Sequence, residues 1–334
     1  MVQKKYDFLR KTDFEASKAK NQQFCQTKLR FNADFPELAQ QLLITFRCNL
    51  KHKFSRISIM GEINMMKFAC KAIALSVCAV TSSLAMAEDK PSLYGVTASG
   101  NVSATTDYRF RGVTQSSNNP AIQGGFTFSH TSGAYLALWG SSVDFGISGV
   151  STETDATLGF TNSFALTDKV KPVYDVGVIH YGYIGSKSNY TNSFNGKKGL
   201  AFTEIFGKLT FPETIFAGDA LSVGVNYSPD YWGRSDDFWY FNLGYSAPIA
   251  DTGLTGLASV GYNKLKNADS LSVVAGGPGK DDNYVDYKLG VNYNFLGILA
   301  EVDVVGTNIS KSGMTNAQKK PYDTGVLFSL TKTF

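Results

Sequence analysis

The sequence predicts an all-β protein, a transmembrane antiparallel up-and-down β-barrel of about 12 strands with both termini on the periplasmic side. Three observations predict this fold. Apolar and polar side chains alternate with a period of two from Val96 onward, the alternating segments are about ten residues long, and long connections between them alternate with short ones. No part of this region has the period of a long amphipathic helix.

The first alternating segment, residues 96–110, shows the pattern most clearly. One face carries Val96, Ala98, Gly100, Val102, Ala104, Thr106, Tyr108 and Phe110, and the other carries Thr97, Ser99, Asn101, Ser103, Thr105, Asp107 and Arg109. Strands of soluble β-sandwiches also alternate. Long strands, aromatic residues near strand ends and charges on the polar face favour a membrane barrel instead.

The same alternation recurs along the chain and predicts twelve strands. They lie near residues 96–110, 121–130, 134–142, 152–164, 172–184, 200–210, 220–228, 237–246, 254–264, 283–294, 297–306 and 324–334.

The connections between these segments predict the topology. Long ones, such as 185–199 and 267–282, are rich in Gly, Ser, Asn and Lys, whereas 131–133 and 295–296 are tight. Bacterial barrels have short periplasmic turns and longer outer loops, so this order places both termini in the periplasm. Since lipid offers no partner to open backbone groups, the sheet must close on itself.

The chain upstream of the strands has the features of an export signal. A charged start at Met65, a short apolar run and an Ala-x-Ala site at Ala85–Ala87 predict a signal peptide over residues 65–87. Since a signal peptide is read at an N-terminus, residues 1–64 are interpreted as untranslated upstream sequence, or alternatively as a disordered extension. The barrel then comprises residues 88–334.

Charge and composition exclude several function classes. The net charge of +4 comes from the upstream segments, and residues 88–334 carry 18 basic and 22 acidic side chains. Nucleic acid is therefore not an expected partner. All four cysteines precede Glu88, and His130 and His180 are the two histidines after it. We expect no disulfide framework, no metal centre and no cofactor.

The stretch around the first loop resembles a known family. Asp107-Tyr108-Arg109-Phe110-Arg111-Gly112-Val113-Thr114-Gln115, with 120–126, 129–133, Tyr135, Trp139, Gly140 and Asp144, is similar to the TorF-type porin-like family of proteobacteria. The likeness is most specific from Thr105 to Phe145. The final strand, ending at Phe334, also resembles the C-terminal signal of outer-membrane barrels. These resemblances imply an outer-membrane porin and contact with the barrel-assembly machinery.

Charged side chains on the polar faces are the candidates for lining a pore. They are Asp107, Arg109, Arg111, Glu153, Asp155, Asp175, Glu204, Lys208, Asp286, Lys288, Glu301 and Asp303. Acids outnumber bases, which favours a mild cation preference. Arg109 and Arg111 near the mouth could instead select anions, or pair with Asp107, Asp144 or acids of other strands in a network that orders the loop.

Aromatic residues are interpreted as an interface girdle or strand packing. They include Tyr94, Tyr108, Phe126, Trp139, Tyr227, Trp232, Trp239, Tyr245 and Tyr293. A sugar-stacking track is a sharper alternative, and Tyr231-Trp232-Gly233-Arg234 is its candidate site.

The sequence thus predicts a passive outer-membrane channel for small polar solutes or ions, surrounded by lipid and lipopolysaccharide. A homo-oligomer stays open as an alternative. A sealed structural or adhesion barrel is the second interpretation, since inward side chains or a folded loop can close a narrow lumen. An outer-membrane hydrolase is the third. It is disfavoured because His130 falls in a turn, His180 faces lipid and no Gly-x-Ser-x-Gly motif follows Glu88.

Overall fold

The computed structural model describes residues 94–167, 170–275 and 281–334. The predictions for residues 1–64 and for the signal peptide at 65–87 lie outside the described residues. Fourteen strands occur in the described part. They are β1 (Val96–Thr105), β2 (Arg109–Phe110), β3 (Val113–Thr114), β4 (Ala121–His130), β5 (Ala134–Ser142), β6 (Thr152–Ser163), β7 (Val173–Tyr183), β8 (Phe202–Pro212), β9 (Ala220–Ser228), β10 (Phe238–Pro248), β11 (Leu254–Leu265), β12 (Asn283–Phe295), β13 (Ile298–Thr307) and β14 (Gly325–Thr333).

Twelve of these strands form a closed antiparallel barrel, and β2 and β3 form a separate two-stranded sheet. Each barrel strand pairs with the next barrel strand in the chain, and β1 pairs with β14 to close the sheet, with Asn101 opposite Thr333. The seam extends to the last residue, because Phe334 and Gly100 exchange two backbone hydrogen bonds of 2.9 Å. Closure leaves the sheet without an edge, which confirms the predicted antiparallel barrel of twelve strands.

Alternation along each strand separates an outer from an inner face. On β6, Leu158 points outward and is 67% exposed, whereas Glu153, Asp155 and Thr157 point into the barrel and are buried. The outward face of the other strands is also apolar, as shown by Leu289 on β12 at 64% exposure. The barrel wall therefore has an apolar outer face, and its inward positions include polar side chains such as these.

The connections define two ends of the barrel. Within the described ranges, the loop end carries 106–120, 143–151, 184–201, 229–237, 266–275, 281–282 and 308–324, and the turn end carries 131–133, 164–167, 170–172, 213–219, 249–253 and 296–297. Short helices α1 (Ser186–Asn189), α2 (Ala268–Ala275) and α3 (Asn316–Lys319) lie in three of the loops, and Trp232–Arg234, Ala250–Thr252 and Lys320–Tyr322 form 3₁₀ turns. Among the described residues, none of the helices has the length and apolar character needed to cross a bilayer.

The strand boundaries follow the sequence pattern closely, with one exception. The first strand was expected over residues 96–110, but β1 ends at Thr105 and residues 106–120 form a loop. The alternation continues through Phe110 because β2 is also extended, although it pairs with β3 instead of a barrel strand. Asp107 and Arg109 therefore lie on a loop, not on the barrel wall.

Gly133 makes the tight turn between β4 and β5 possible. Its φ is +101°, and a Cβ atom there would overlap the backbone oxygen of Thr161. Its own backbone oxygen accepts a hydrogen bond of 2.9 Å from the Thr161 amide. The turn therefore packs directly against the neighbouring strand and leaves no room for a side chain.

We expect Gly133→Ala to lower the free energy of unfolding by about 3 kcal/mol or more, from left-handed strain plus steric overlap. Gly146→Ala is the matched control, because Gly146 also has a positive φ of 68° but no atom lies within 4 Å of its hypothetical Cβ. The control is expected to lose only about 1 kcal/mol. Urea unfolding of the refolded barrels measures both values, and equal losses would contradict the steric explanation.

Candidate functional site

The loop of residues 106–120, called the inner loop here, folds into the barrel lumen instead of extending away from it. Its tip is the β2–β3 hairpin, in which Arg111 and Gly112 have φ values of +48° and +80°. Positive φ at both central residues is the requirement of a type I′ turn, which fits a two-residue hairpin. A Cβ atom on Gly112 would meet the backbone oxygen of Gly306 at 2.7 Å. The tip is therefore wedged against the inner wall.

A buried salt bridge fixes this tip to the wall at β8. The Arg111 guanidinium donates from Nη1 to Glu204 Oε1 at 2.7 Å and from Nη2 to Glu204 Oε2 at 2.8 Å. Both side chains have 0% exposure. The two parallel bonds form the planar bidentate arrangement that is the strongest for this pair of groups. Glu204 also accepts hydrogen bonds from Asn226 at 2.9 Å and from the Tyr181 hydroxyl at 3.3 Å.

Aromatic rings surround the same guanidinium. Its central carbon lies 4.3 Å from the ring centre of Tyr240, 4.7 Å from Phe238, 4.6 Å from Phe110 and 5.6 Å from Tyr231. Rings at these distances attract a cation through their quadrupoles, most strongly when water is excluded. We call Glu204, Tyr231, Phe238 and Tyr240 the wall cage.

Burial and the Glu204 carboxylate have opposite effects on the pKa of Arg111. Burial alone would lower the pKa of Arg111, but Glu204 raises the pKa well above its ordinary value, so the guanidinium stays charged. Burial also raises the pKa of Tyr231, although Arg111 acts in the opposite direction. The Tyr231 hydroxyl therefore stays neutral and is available to accept a hydrogen bond of 3.2 Å from Arg111.

Polar contacts hold the base of the inner loop. The Arg109 Nε donates to Asp107 at 2.6 Å, and its Nη1 donates to the backbone oxygens of Pro321 at 3.2 Å and Asp323 at 2.9 Å. The Asp107 carboxylate also accepts from the hydroxyl of Ser116 at 3.1 Å. These bonds connect the inner loop to the last loop of the barrel.

Other loops pack on the inner loop and fill the loop-end half of the lumen. Their buried apolar side chains form one cluster with Tyr108, Phe110 and Val113 of the inner loop. The cluster also includes Val143, Val150, Ile179, Tyr181, Tyr183, Leu200, Phe202, Tyr231, Phe238, Tyr240, Leu265, Leu271, Tyr284, Ile309, Met314 and Tyr322. The loop end of the lumen is therefore occluded in this structure.

The turn-end half of the lumen has a different character, and we call it the vestibule. Its inward side chains are mostly small and polar, and they are partly exposed. They include Thr97, Ser99, Asn101, Ser103, Gln123, Thr127, Thr161, Ser222, Asn242, Ser259, Ser329 and Thr331. Small side chains leave the middle of the barrel accessible there, whereas tyrosines and phenylalanines fill it at the loop end.

Two clusters of charged side chains lie on opposite parts of the vestibule wall. Lys288 on β12 donates to Glu301 at 2.6 Å and to Asp303 at 3.2 Å, both on β13. Asp175 on β7 is paired across the sheet with Lys208 on β8 and accepts a hydrogen bond of 2.8 Å from the Tyr135 hydroxyl. The vestibule thus contains three acids and two bases.

The twelve charged candidates occupy two regions. Nine lie at inward positions of barrel strands: Glu153, Asp155, Asp175, Glu204, Lys208, Asp286, Lys288, Glu301 and Asp303. The other three, Asp107, Arg109 and Arg111, belong to the inner loop, where Arg109 and Arg111 are ion-paired. Their role in lining a pore stays a prediction.

Sequence reasoning missed the aromatic part of the site. Tyr108, Trp139 and Trp232 were interpreted as interface girdle or strand packing. Tyr108 is buried at 6% exposure and the two tryptophans pack on the loop-end cluster, which agrees with packing for these three. Phe238 and Tyr240 of the wall cage were not singled out. Their signal is that they alternate on β10 with Trp239 and Phe241, which are exposed, so both faces of that segment are aromatic.

The two histidines lie on the outer side. His130 is the last residue of β4, and His180 is exposed and contacts the Thr203 hydroxyl at 2.9 Å. In the described parts of the chain, no three His, Cys, Asp or Glu side chains are grouped as a metal site would require.

We expect Glu204→Gln to release the inner loop, because removing one partner of a buried ion pair costs about 3–5 kcal/mol. Amide hydrogen exchange measures this, and the reporters are Gln115, whose amide bonds to Tyr108 at 2.7 Å, and Asp144, whose amide bonds to Gln115 at 2.8 Å. Exchange at both should accelerate by about a hundredfold or more, while strand amides keep their protection.

The matched control is Lys264→Met, which breaks an ion pair with Asp282 whose side chains are 41% and 35% exposed. A pair so exposed contributes little, so inner-loop exchange should not change. Unchanged exchange in Glu204→Gln would show that the salt bridge does not hold the loop.

Several solved structures align with part of this chain. A NanC porin structure aligns with a TM-score of 0.40 and 10% identity over 70% of this chain and 98% of that one. OprD of Pseudomonas aeruginosa aligns with a TM-score of 0.37 and 10% identity over 72% of this chain and 67% of that one. OccAB3 of Acinetobacter baumannii gives 0.38 and 11% over 72% and 65%. At these scores and identities, the similarities do not bear on function.

No protein of curated function matches the sequence. One family model does match, and it covers residues 89–334, which include the whole barrel, the inner loop and the vestibule. The chain belongs to the bacterial family Gcw_chp, described as bacterial protein of unknown function.

Proposed function

We propose that this protein is an outer-membrane channel for passive diffusion of small polar solutes or ions, closed at its loop end by the inner loop. The observation that carries the proposal is the vestibule. Its inward wall is lined by partly exposed hydroxyl and amide side chains inside a barrel whose outer face is apolar. A polar, partly exposed inner wall of this kind matches the water-filled lumen of porins.

The outer face supports placement in a membrane. Large apolar side chains stand exposed around the barrel, including Phe126 at 56%, Ile205 at 59%, Phe241 at 48% and Val326 at 72%. A continuous apolar belt of this kind would drive association in water, whereas lipid accommodates it. The export signal predicted at residues 65–87 and the resemblance to TorF-type porin-like proteins support the outer membrane, and we place both termini and the turn end in the periplasm.

A sealed barrel is the second candidate, and the loop-end cluster favours it. Twenty-one buried apolar side chains of the described residues pack together there, and Arg111 and Glu204 tie the inner loop to the wall. In the channel proposal, solutes pass when the inner loop leaves this position. The two candidates therefore differ in whether the inner loop can move.

The charges of the vestibule favour weak cation selectivity. The vestibule has one negative charge in excess, from Asp175, Glu301 and Asp303 against Lys208 and Lys288. The preference is weak because Lys288 is ion-paired with Glu301 and Asp303, which offsets most of their negative charge.

Single-channel recording of residues 88–334 in planar bilayers tests the proposal. We expect rare or small steps from the wild type, and frequent, larger steps when residues 107–116 are replaced by a Gly-Ser linker, since that variant lacks the occluding tip. Heat-modifiable migration on gels verifies folding of both proteins. Silence from both folded proteins would contradict the channel and support the sealed barrel.

Under a salt gradient, the reversal potential of the linker variant should indicate a mild cation preference. Glu301→Gln should shift that potential towards anions, because it removes an inward negative charge and leaves Lys288 with one acidic partner fewer. Thr331→Val is the control, since it changes an inward side chain of the vestibule without changing charge. An anion preference before substitution would contradict the assignment of the acids as the dominant charges.

A further inference from the structure

The wall cage is built by contacts that do not involve the inner loop. Tyr231 stacks on Phe238 with ring centres 3.8 Å apart, and Tyr231 also packs edge-on against Phe202 at 4.7 Å. Glu204 keeps hydrogen bonds from Asn226 and Tyr181, on the two strands that flank β8. The cage would therefore keep its shape if Arg111 left it.

Withdrawal of Arg111 would leave a buried negative charge in the cage without a positive partner. Glu204 is fully buried, and without Arg111 its carboxylate would lose two charge-assisted hydrogen bonds and its counter-charge. A buried charge without a partner is strongly unfavourable, and a cation that enters in place of Arg111 would remove that cost. Opening of the loop and binding of a cation in the cage are thus linked.

The backbone of Arg111 shows that the closed position has its own cost. Its φ of +48° lies in the left-handed region, which is strained for a non-glycine residue. A free solute in the cage would form the same contacts without that strain. This difference offsets part of the advantage that Arg111 has from being attached to the chain.

The geometry also indicates the chemical class of the solute. A planar guanidinium offers two parallel N–H donors to both oxygens of Glu204 while its face lies near Tyr240 and Phe238. A primary ammonium is a strongly hydrated point charge and cannot match both features at once.

We propose that the wall cage is a binding site for guanidinium-bearing solutes, which Arg111 occupies in the closed barrel. A guanidinium solute that enters the cage displaces Arg111 and holds the inner loop out of the lumen. The binding site stands independently of transport, whereas the consequence for conductance rests on the proposed channel function.

Calorimetric titration with methylguanidinium tests the site in Arg111→Ala, which vacates the cage. We expect saturable binding, at least tenfold tighter than for methylammonium, and no binding of urea, which has a similar planar shape but no charge. The double variant Arg111→Ala/Glu204→Gln is the matched control and should lose methylguanidinium binding by at least tenfold. Equal binding by the single and double variants would overturn the proposal.

Arg111→Ala and the Gly-Ser linker variant both leave Glu204 without its charged partner, so a measurement on the wild type is made as well. The Gly-Ser linker variant at residues 107–116 also vacates the cage and should bind methylguanidinium in the same way. In the wild type, methylguanidinium but not urea should accelerate amide exchange of Gln115, which reports withdrawal of the loop. Absence of both effects in folded protein would overturn the proposal.

Conductance separates this proposal from the channel itself. If methylguanidinium binds but the linker variant never conducts, the cage stands and the channel function fails. If the linker variant conducts but no form binds methylguanidinium more tightly than methylammonium, the cage assignment fails and the channel function stands.

Discussion

The buried salt bridge between Arg111 and Glu204 is the constraint on which the rest of the lumen depends. Two fully buried opposite charges must meet at good geometry, since either one alone would be strongly unfavourable inside the barrel. Meeting that condition brings the tip of the first loop against β8, far from it in sequence. Phe110 and Val113 are then buried beside the tip, and the other loops pack on them to form the loop-end cluster. This ion pair thus fixes the tip of the inner loop in the loop-end half of the lumen.

The two halves of the lumen differ because side-chain size changes along the strands. On β7 and β8 the inward residues at the loop end are Tyr181, Tyr183 and Phe202, whereas β1 and β14 present serines and threonines towards the turn end. A barrel of twelve strands encloses more space than backbone alone fills, so side-chain volume determines whether the interior is solid or accessible. The same wall therefore supports a packed core at one end and a polar vestibule at the other.

The sequence predicted the barrel well because the signals for strands are local. Period-two alternation located eleven of the twelve strands to within about three residues, and its parity placed nine charged candidates on the inner face. The first strand was predicted too long because β2 is extended as well, so alternation alone does not separate it from β1. The partner of Arg111 could not be foreseen, because Glu204 is one of several inward acids and the choice depends on how far a loop reaches across a closed sheet. The sequence left the role of the aromatic residues open for a similar reason, because a tyrosine near a strand end suits both a membrane interface and a core.

The inner loop is held by a salt bridge instead of by apolar packing, and this choice has a physical consequence. Replacing a buried ion pair with apolar side chains is often neutral or stabilising by about 1–4 kcal/mol, so maximal closure does not require Arg111 and Glu204. If the contact were apolar, however, withdrawal of the loop would leave an apolar cavity that does not bind small polar solutes. A carboxylate set among aromatic rings leaves a cage with a defined preference for a flat cation. Because the φ of Arg111 is strained, Arg111 binds in the cage less favourably than an unstrained guanidinium would. Closure by an exchangeable charged group therefore couples the state of the lumen to the chemistry of the solute outside it, which closure by packing alone cannot do.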